Sequence, residues 1–457
     1  MSRKSKFIAT AAIAIAAFLS TSHGASASLV LNVDADTPVI QAGKGGSVVV
    51  RVLVRPDAEE RPDTAPRGRA PLAVALVLDK SGSMASDRKM ENAKTGAIEA
   101  LEVLGERDIA ALVVYDGGAR TLVGPRHVAG KGFDVFRRAI SGISPGGGTA
   151  LYNGVELAAE ELKPFVREGY APRVVLLSDG MANVGPSSTK ELASLGRALA
   201  EREMTITTIG LGLDYNEDLM TALAAESGGN SYFAKNAESL PGIFARDMED
   251  AVELTARRVN VTLICDGEVL PARTVGRAGT RSGSSISSYI DNVYGSEKYA
   301  LFEIEIPAQL VQAEKSSLKA ARVKLEYVDA LTGKDVVAET PLELSISKNA
   351  SDVEKNRNAE VVAQTAIARN AEVRDEVVRL SDAGRAAEAS SLLRKQTEYL
   401  EDVAAFAPQA ASVMAAEAEE LDAMASEIES EGSMSNESRK SSVNKAYMQK
   451  NQQSGQD

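Results

Sequence analysis

The sequence predicts an open, doubly wound α/β sheet inserted into an antiparallel β-sandwich, with a helical hairpin towards the C-terminal end. Three observations carry this. Two almost wholly apolar runs, 72–78 and 174–177, have the make-up of parallel strands buried on both faces. Apolar residues alternate at period two before these runs, at Val48, Val50, Val52 and Val54, and again after them, at Phe302, Ile304 and Ile306, at Val323, Leu325 and Tyr327, and at Leu342, Leu344 and Ile346. From Val353 the composition turns to Ala, Glu, Arg and Leu at helical spacing.

The chain opens with Met1-Ser2-Arg3-Lys4-Ser5-Lys6, then thirteen mostly apolar residues at 7–19, then small residues ending in Ala25-Ser26-Ala27. That is the pattern of a secretory signal peptide over 1–27. The mature protein is therefore expected to start near Ser28 and to be exported, either periplasmic or secreted. The apolar run falls short of the roughly 20 residues a membrane-spanning helix needs, and no later run is apolar enough to replace it. The single cysteine, Cys265, excludes an intrachain disulfide; within the apolar run 261–265 it is expected to be a buried small hydrophobe. Loss of Arg3, Lys4 and Lys6 with the leader takes the formal net charge from −13 to −16. A field of that sign repels nucleic acid and anionic membranes, which argues against both as partners.

Residues 28–56 read as one part of the sandwich. A lone strand region is not a domain, so these residues are expected to pair with strands at 257–348, the polar, proline-containing stretch 57–69 being a linker. Residues 70–255 form the inserted α/β domain. Within the sandwich, 279–287 is rich in Gly and Ser and is expected to be a mobile loop. Ala366, Val373, Val377 and Leu380, then Ala389, Leu392, Leu393, Gln396, Tyr399 and Val403, lie on either side of a break at 381–384 and give two amphipathic helices. A third helix is expected over 409–428 after Pro408, which makes 352–430 a helical region whose apolar stripes pack on each other, on the sandwich or on a partner helix. The tail 431–457 lacks apolar periodicity and is expected to be disordered.

The chemistry lies in three short segments: Asp79-Lys80-Ser81-Gly82-Ser83, Thr149 after Gly146-Gly147-Gly148, and Ser178-Asp179-Gly180. Taken alone, each is an ordinary turn or helix cap. Together, and in this order, they place Asp79 and Asp179 at the carboxyl ends of parallel strands, where open α/β sheets bind ligands, with Thr149 opening a helix nearby. Asp79, Ser81, Ser83, Thr149 and Asp179 supply only hard oxygen donors, which suits Mg²⁺. Such a set leaves positions for water or for an oxygen from elsewhere.

This D-x-S-x-S, distant Thr and distant Asp arrangement resembles the metal-ion-dependent adhesion site of the von Willebrand factor A family. The resemblance runs from about residue 70 to 253 and includes strands at 108–115 and 204–211. It is similar in detail to bacterial secreted members related to calcium-activated-chloride-channel regulators and inter-alpha-trypsin-inhibitor heavy chains, through Asp179-Gly180-Met181-Ala182-Asn183-Val184-Gly185 and Gly212-Leu213-Asp214-Tyr215-Asn216. Lys80 departs from the pattern, since a cation beside the first ligand must turn away for a metal to bind. The resemblance implies a Rossmann-like fold and Mg²⁺, or Mn²⁺ or Ca²⁺, held by Asp79, Ser81, Ser83, Thr149 and Asp179. It also implies an adhesion-type role in which a partner protein offers an Asp or Glu carboxylate to the ion. Neutral hydroxyl ligands leave the ion more electrophilic towards an incoming anion than a cage of carboxylates would.

An enzyme is disfavoured by inventory. After the leader the one remaining histidine is His127, expected in a solvated turn, and no G-x-S-x-G, H-E-x-x-H or G-x-x-x-x-G-K-[ST] motif is present. The alternative is an envelope scaffold in which the metal only stabilises loops. The sequence leaves the oligomeric state open.

Overall fold

The structure is a computed structural model that describes residues 29–57 and 70–453. The expected leader at 1–27 and the linker beyond residue 57 lie outside the described residues.

Three strands open the described chain: β1 (Leu29–Ala35), β2 (Val39–Gln41) and β3 (Gly46–Pro56). An α/β body follows, with β4 (Leu72–Asp79), α1 (Lys89–Glu102), β5 (Ile109–Tyr115), β6 (Ala119–His127), α2 (Lys131–Ser141), α3 (Leu151–Val166) and β7 (Ala171–Ser178). It continues through α4 (Thr189–Ala200), β8 (Thr205–Leu211), α5 (Glu217–Ser227), β9 (Ser231–Ala234) and α6 (Leu240–Val252). The strands lie in the order β6-β5-β4-β7-β8-β9, parallel except for the antiparallel edge strand β6. Every residue of β4 and β7 is buried, and their sequences do not alternate because helices cover both faces. Leu72, Val74, Leu76 and Leu78 face a core shared with α1, α2 and α6, whereas Ala73, Ala75 and Val77 face one shared with α3, α4 and α5. The edge strands β6 and β9 are not among those expected from sequence: β6 is largely accessible and β9 is only four residues long, so neither carries a continuous apolar run.

After α6 the chain returns to strands: β10 (Ala256–Cys265), β11 (Leu270–Val275), β12 (Gly279–Ser282), β13 (Ser285–Val293), β14 (Lys298–Ile306), β15 (Ser317–Asp329) and β16 (Asp335–Ser347). Two sheets, β1-β3-β14-β11 and β12-β13-β10-β15-β16-β2, share one core built from residues such as Val50, Val52, Val261, Leu263, Phe302 and Val323. β3 lies between β1 and β14, so a strand that precedes the α/β body is bonded to one that follows it. The body is an insertion. The sandwich is not purely antiparallel, because β2 pairs in parallel with β16. Cys265 is buried and unpaired in this core.

Residues 279–287, expected as a mobile loop, are instead a hairpin of β12 and β13. Ser282 faces Ser285 across a two-residue turn whose first residue, Gly283, has φ 58°. Glycine at positive φ in that position matches the twist of the flanking strands, so this Gly- and Ser-rich composition encodes a turn and an edge strand.

The chain ends in α7 (Ala350–Lys355), α8 (Ala359–Asp382), α9 (Ala386–Phe406), α10 (Ala411–Glu431) and α11 (Asn436–Asn451). α8 and α9 form a hairpin that turns at Gly384, and α10 joins them over a core that includes Ala366, Val377, Leu393, Leu400, Leu421 and Ile428. The expectation of a disordered tail over 431–457 is wrong for its described part, since α11 is docked across α8, α5 and β9. Polar side chains hold it, which is why no apolar stripe announces it. Lys440 Nζ donates to the Tyr215 carbonyl at 2.6 Å and pairs with Glu217, Asn444 Nδ2 donates to the Ser231 carbonyl at 2.9 Å, and the Tyr447 hydroxyl donates to the Gly229 carbonyl at 2.6 Å. From β14, Lys298 Nζ donates to the carbonyls of Asn451 and Gln452 at 2.6 Å each. An amine donor there satisfies the free carbonyls at the end of the helix.

Candidate metal centre

Strand order places the site. From β4 the chain moves to β5 and β6 on one side, then crosses back to β7 and continues to β8 and β9 on the other. The order therefore reverses between β4 and β7, and the crevice at the carboxyl ends of those two strands is the binding position of such sheets. Leu78 pairs with Leu177, so Asp79 and Asp179 emerge side by side at that crevice.

Both carboxylates are fully buried. Asp79 Oδ1 accepts the Ser81 N–H at 2.8 Å and its Oδ2 accepts the Ser178 hydroxyl at 3.0 Å. The Ser81 and Ser83 hydroxyl oxygens lie 3.0 Å apart, and the Ser83 hydroxyl donates to Asp179 Oδ1 at 2.6 Å. Ser81, Ser83 and Asp179 thus form a continuous chain of oxygen contacts, which Asp79 joins through the Ser81 N–H. Thr149 joins through its backbone: its N–H donates to Asn183 Oδ1 at 2.9 Å and its carbonyl accepts the Asn183 N–H at 3.1 Å. The helix-cap role it has when read alone is not realised. Ala150 holds that position without a side-chain cap, because the glycine loop bonds to the 80–82 turn, with Gly146 N–H on the Lys80 carbonyl and Gly82 N–H on the Gly147 carbonyl, and delays the helix to Leu151. The Thr149 hydroxyl is therefore not engaged in capping. Gly147 has φ 91°, and a Cβ there would press on Asp116 Cβ at 3.0 Å.

The donor set fits a hard divalent cation. Oxygens at about 2.1 Å from an octahedral ion are about 3 Å from one another, which is the spacing found among Ser81, Ser83 and Asp179. Burial pushes the Asp79 carboxyl up to about 6; hydrogen bonds from Ser81 and Ser178 oppose the rise, and the Asp179 charge adds to it. Two carboxylates gathered away from water in this way are what a cation would stabilise. Among the described residues no three His, Cys, Asp or Glu side chains cluster as a metal site, so an ion here would draw on hydroxyls and water for most of its shell.

Three participants were not read from sequence. Ser178 bonds Asp79, Asn183 fixes Thr149, and Lys89 donates from Nζ to Asp179 Oδ2 at 2.8 Å. Ser178 and Asn183 lie within the motifs quoted above, and Lys89 lies outside them. Lys80, the awkward residue, turns away from the aspartates and pairs with Asp116. His127 is exposed at the end of β6, opposite Ile109, and thus at the amino end of β5, across the sheet from the site.

The fold and this constellation define an α/β domain with an oxygen-lined crevice at the carboxyl ends of β4 and β7. Residues 74–182 match the family model for the von Willebrand factor type A domain. An uncharacterized protein of Synechocystis is 28% identical over 210 residues, which cover 46% of this chain and 46% of that protein. The human inter-alpha-trypsin inhibitor heavy chain H4 is 28% identical over 210 residues, 44% of this chain and 21% of the relative. The chain thus spans less than half the length of these relatives. Among solved structures, a von Willebrand factor type A protein from Catenulispora acidiphila aligns with TM-score 0.67 at 16% identity, covering 88% of this chain and 91% of that one. That is a likeness of fold, and it takes in most of the chain outside the α/β body.

Proposed function

We propose that this protein is an exported, divalent-metal-dependent binding module that captures an Asp or Glu carboxylate of a partner protein at the Asp79–Asp179 crevice. The observation that carries the reading is the pair of buried carboxylates beside the Ser81 and Ser83 hydroxyls, with the Ser81, Ser83 and Asp179 oxygens at ion-like spacing, at the point where strand order reverses. Asp79, Ser81, Ser83, Thr149 and Asp179 would hold Mg²⁺, Mn²⁺ or Ca²⁺, and the ion would supply a Lewis-acidic position for an incoming carboxylate. The match of residues 74–182 to a family known for metal-dependent protein interactions supports this. So do Met181 and Leu213, large apolar side chains left exposed on the loops after β7 and β8, at the same edge of the sheet. Apolar contacts around a charged anchor are how protein interfaces gain area. Export rests on the leader, and among the described residues no helix is long and apolar enough to cross a membrane. The reading is non-catalytic: the groups around the site bind and orient, and His127 lies across the sheet.

Calorimetric titration of Mg²⁺, Mn²⁺ and Ca²⁺ into the wild type and Asp179→Ala, with crosslinking capture from the exported fraction in Mg²⁺ and in chelator, tests it. Metal binding and capture should be lost together in the variant. Undiminished capture by a variant that binds no metal would move recognition to the sandwich or the helices.

A further inference from the structure

We infer that Lys89 is a tethered counter-cation of the Asp79–Asp179 centre, one that holds the carboxylates in the metal-free protein and sets how weakly the site binds a divalent ion. The inference rests on the metal-binding reading above and adds to it a residue that the five-ligand pattern does not contain.

Lys89 is the first residue of α1, and its Nζ lies 2.8 Å from Asp179 Oδ2, with the lysine side chain 11% exposed and the aspartate side chain 0%. The two oxygens of Asp179 are thus divided: Oδ1 faces Ser83 and the oxygen cluster, and Oδ2 faces the ammonium. An unusual backbone aims this side chain. Asp87 and Arg88 have φ 50° and 54°, two successive non-glycine residues in the left-handed region, which persists only where the surroundings over-determine it. They reverse the chain after the 82–85 turn and bring α1 in with Lys89 against the crevice, its N–H held by the Ser86 carbonyl at 2.9 Å. The neighbouring cation does not share this role, because Lys80 is neutralised outside the crevice by Asp116.

Charge then decides the consequence. Asp79, Asp179 and Lys89 together carry one net negative charge, whereas the two carboxylates alone carry two. A divalent ion entering the crevice is attracted by the carboxylates and repelled by the ammonium, three side chains themselves largely withdrawn from water, where such interactions are poorly screened. Once loaded, the cluster keeps one net positive charge if Lys89 is present and none if it is absent. Lys89 therefore trades cation affinity for attraction towards an anionic partner, and it keeps the two buried carboxylates from standing without a counter-charge when no metal is bound.

The test compares Mn²⁺ binding, by calorimetry and by the loss of the free-ion electron paramagnetic resonance signal, in the full chain and in Lys89→Met, Lys89→Gln and Lys89→Arg. The neutral variants should bind Mn²⁺ at least about tenfold more tightly than the wild type, and Lys89→Arg should stay near it. In chelator, Lys89→Met should melt below the wild type, and saturating Mn²⁺ should raise its midpoint by more than it raises that of the wild type. If Lys89→Met proves too poorly folded, Lys89→Gln, which can still donate to Asp179, carries the comparison. Neutral variants that bind Mn²⁺ no more tightly than the wild type would overturn the inference and leave Lys89 an ordinary ion pair. Asp179→Asn separates this from failure of the site: wild-type binding that Asp179→Asn abolishes keeps the metal reading whatever Lys89 does, and absence of Mn²⁺ binding in the wild type overturns both.

Discussion

Asp79 and Asp179 hold equivalent places at two strand ends, but removing them should have different effects. Asp79 accepts only neutral donors and its carboxyl is pushed up by burial, so Asp79→Ala should leave the stability of the metal-free protein unchanged or slightly raised. Asp179→Ala strands the nearly buried Lys89 ammonium, and should lower stability in chelator by about 1–3 kcal/mol. Both variants should lose metal affinity beyond the roughly 10–100-fold that changing a residue behind a ligand costs, whereas Ser83→Ala, which gives up a neutral donor that water can replace, should lose less. Thermal melts in chelator and Mg²⁺ titrations distinguish the three. Asp79, Ser81, Ser83 and Asp179 were legible because spacing and strand ends are written in the sequence. Lys89 was not, since its approach to Asp179 depends on two left-handed residues that nothing local demands. Thr149 lies one residue further from α3 than a capping residue would, because the bonds that delay α3 come from a turn nearly seventy residues earlier in the chain.

At the level of elements, the strands of the α/β body were legible through their unbroken apolar runs, and α8 and α9 through their stripes. α11 was not, because carbonyls of other elements hold it. Lys440→Ala should therefore cost about 1–3 kcal/mol, since it removes the donor to Tyr215 and leaves the Glu217 carboxylate with Arg439 as its remaining cation. At the other end of the helix, burial pushes the Lys298 amine down to about 7 from its ordinary 10.5, with the Arg277 charge adding to the fall. Between those values the unfolded chain binds the proton that the folded one has released, so this residue contributes stability that grows as pH rises through about 7 towards 10.5. Melts at pH 6, 7.5 and 9 should show that rising component in the wild type and lose it in Lys298→Met. A profile of equal slope in both would mean that Lys298 titrates as an exposed lysine.

For the whole molecule, the alternation on both sides of the α/β body was enough to read an interrupted sandwich, and the pairing of β3 with β14 makes that reading testable by fragments. Residues 70–255 carry their own two cores and should melt cooperatively alone. Residues 257–348 lack β1 and β3, half of the β1-β3-β14-β11 sheet, and should expose the apolar face and edge of β14; a soluble, cooperatively melting 257–348 fragment would refute the shared sandwich. The same pairing imposes an order on biogenesis. β3 leaves the ribosome with Val48-Val49-Val50-Arg51-Val52-Leu53-Val54 unpaired along one edge, a run rich in β-branched residues of the kind that nucleates intermolecular sheets. Its partner begins only at Lys298, so at about 5–20 residues per second it follows by roughly ten seconds or more. Throughout that interval the nascent chain carries a sticky strand beside an α/β body free to complete its own folding. Its yield should therefore depend on whatever holds that strand apart from its neighbours until synthesis catches up.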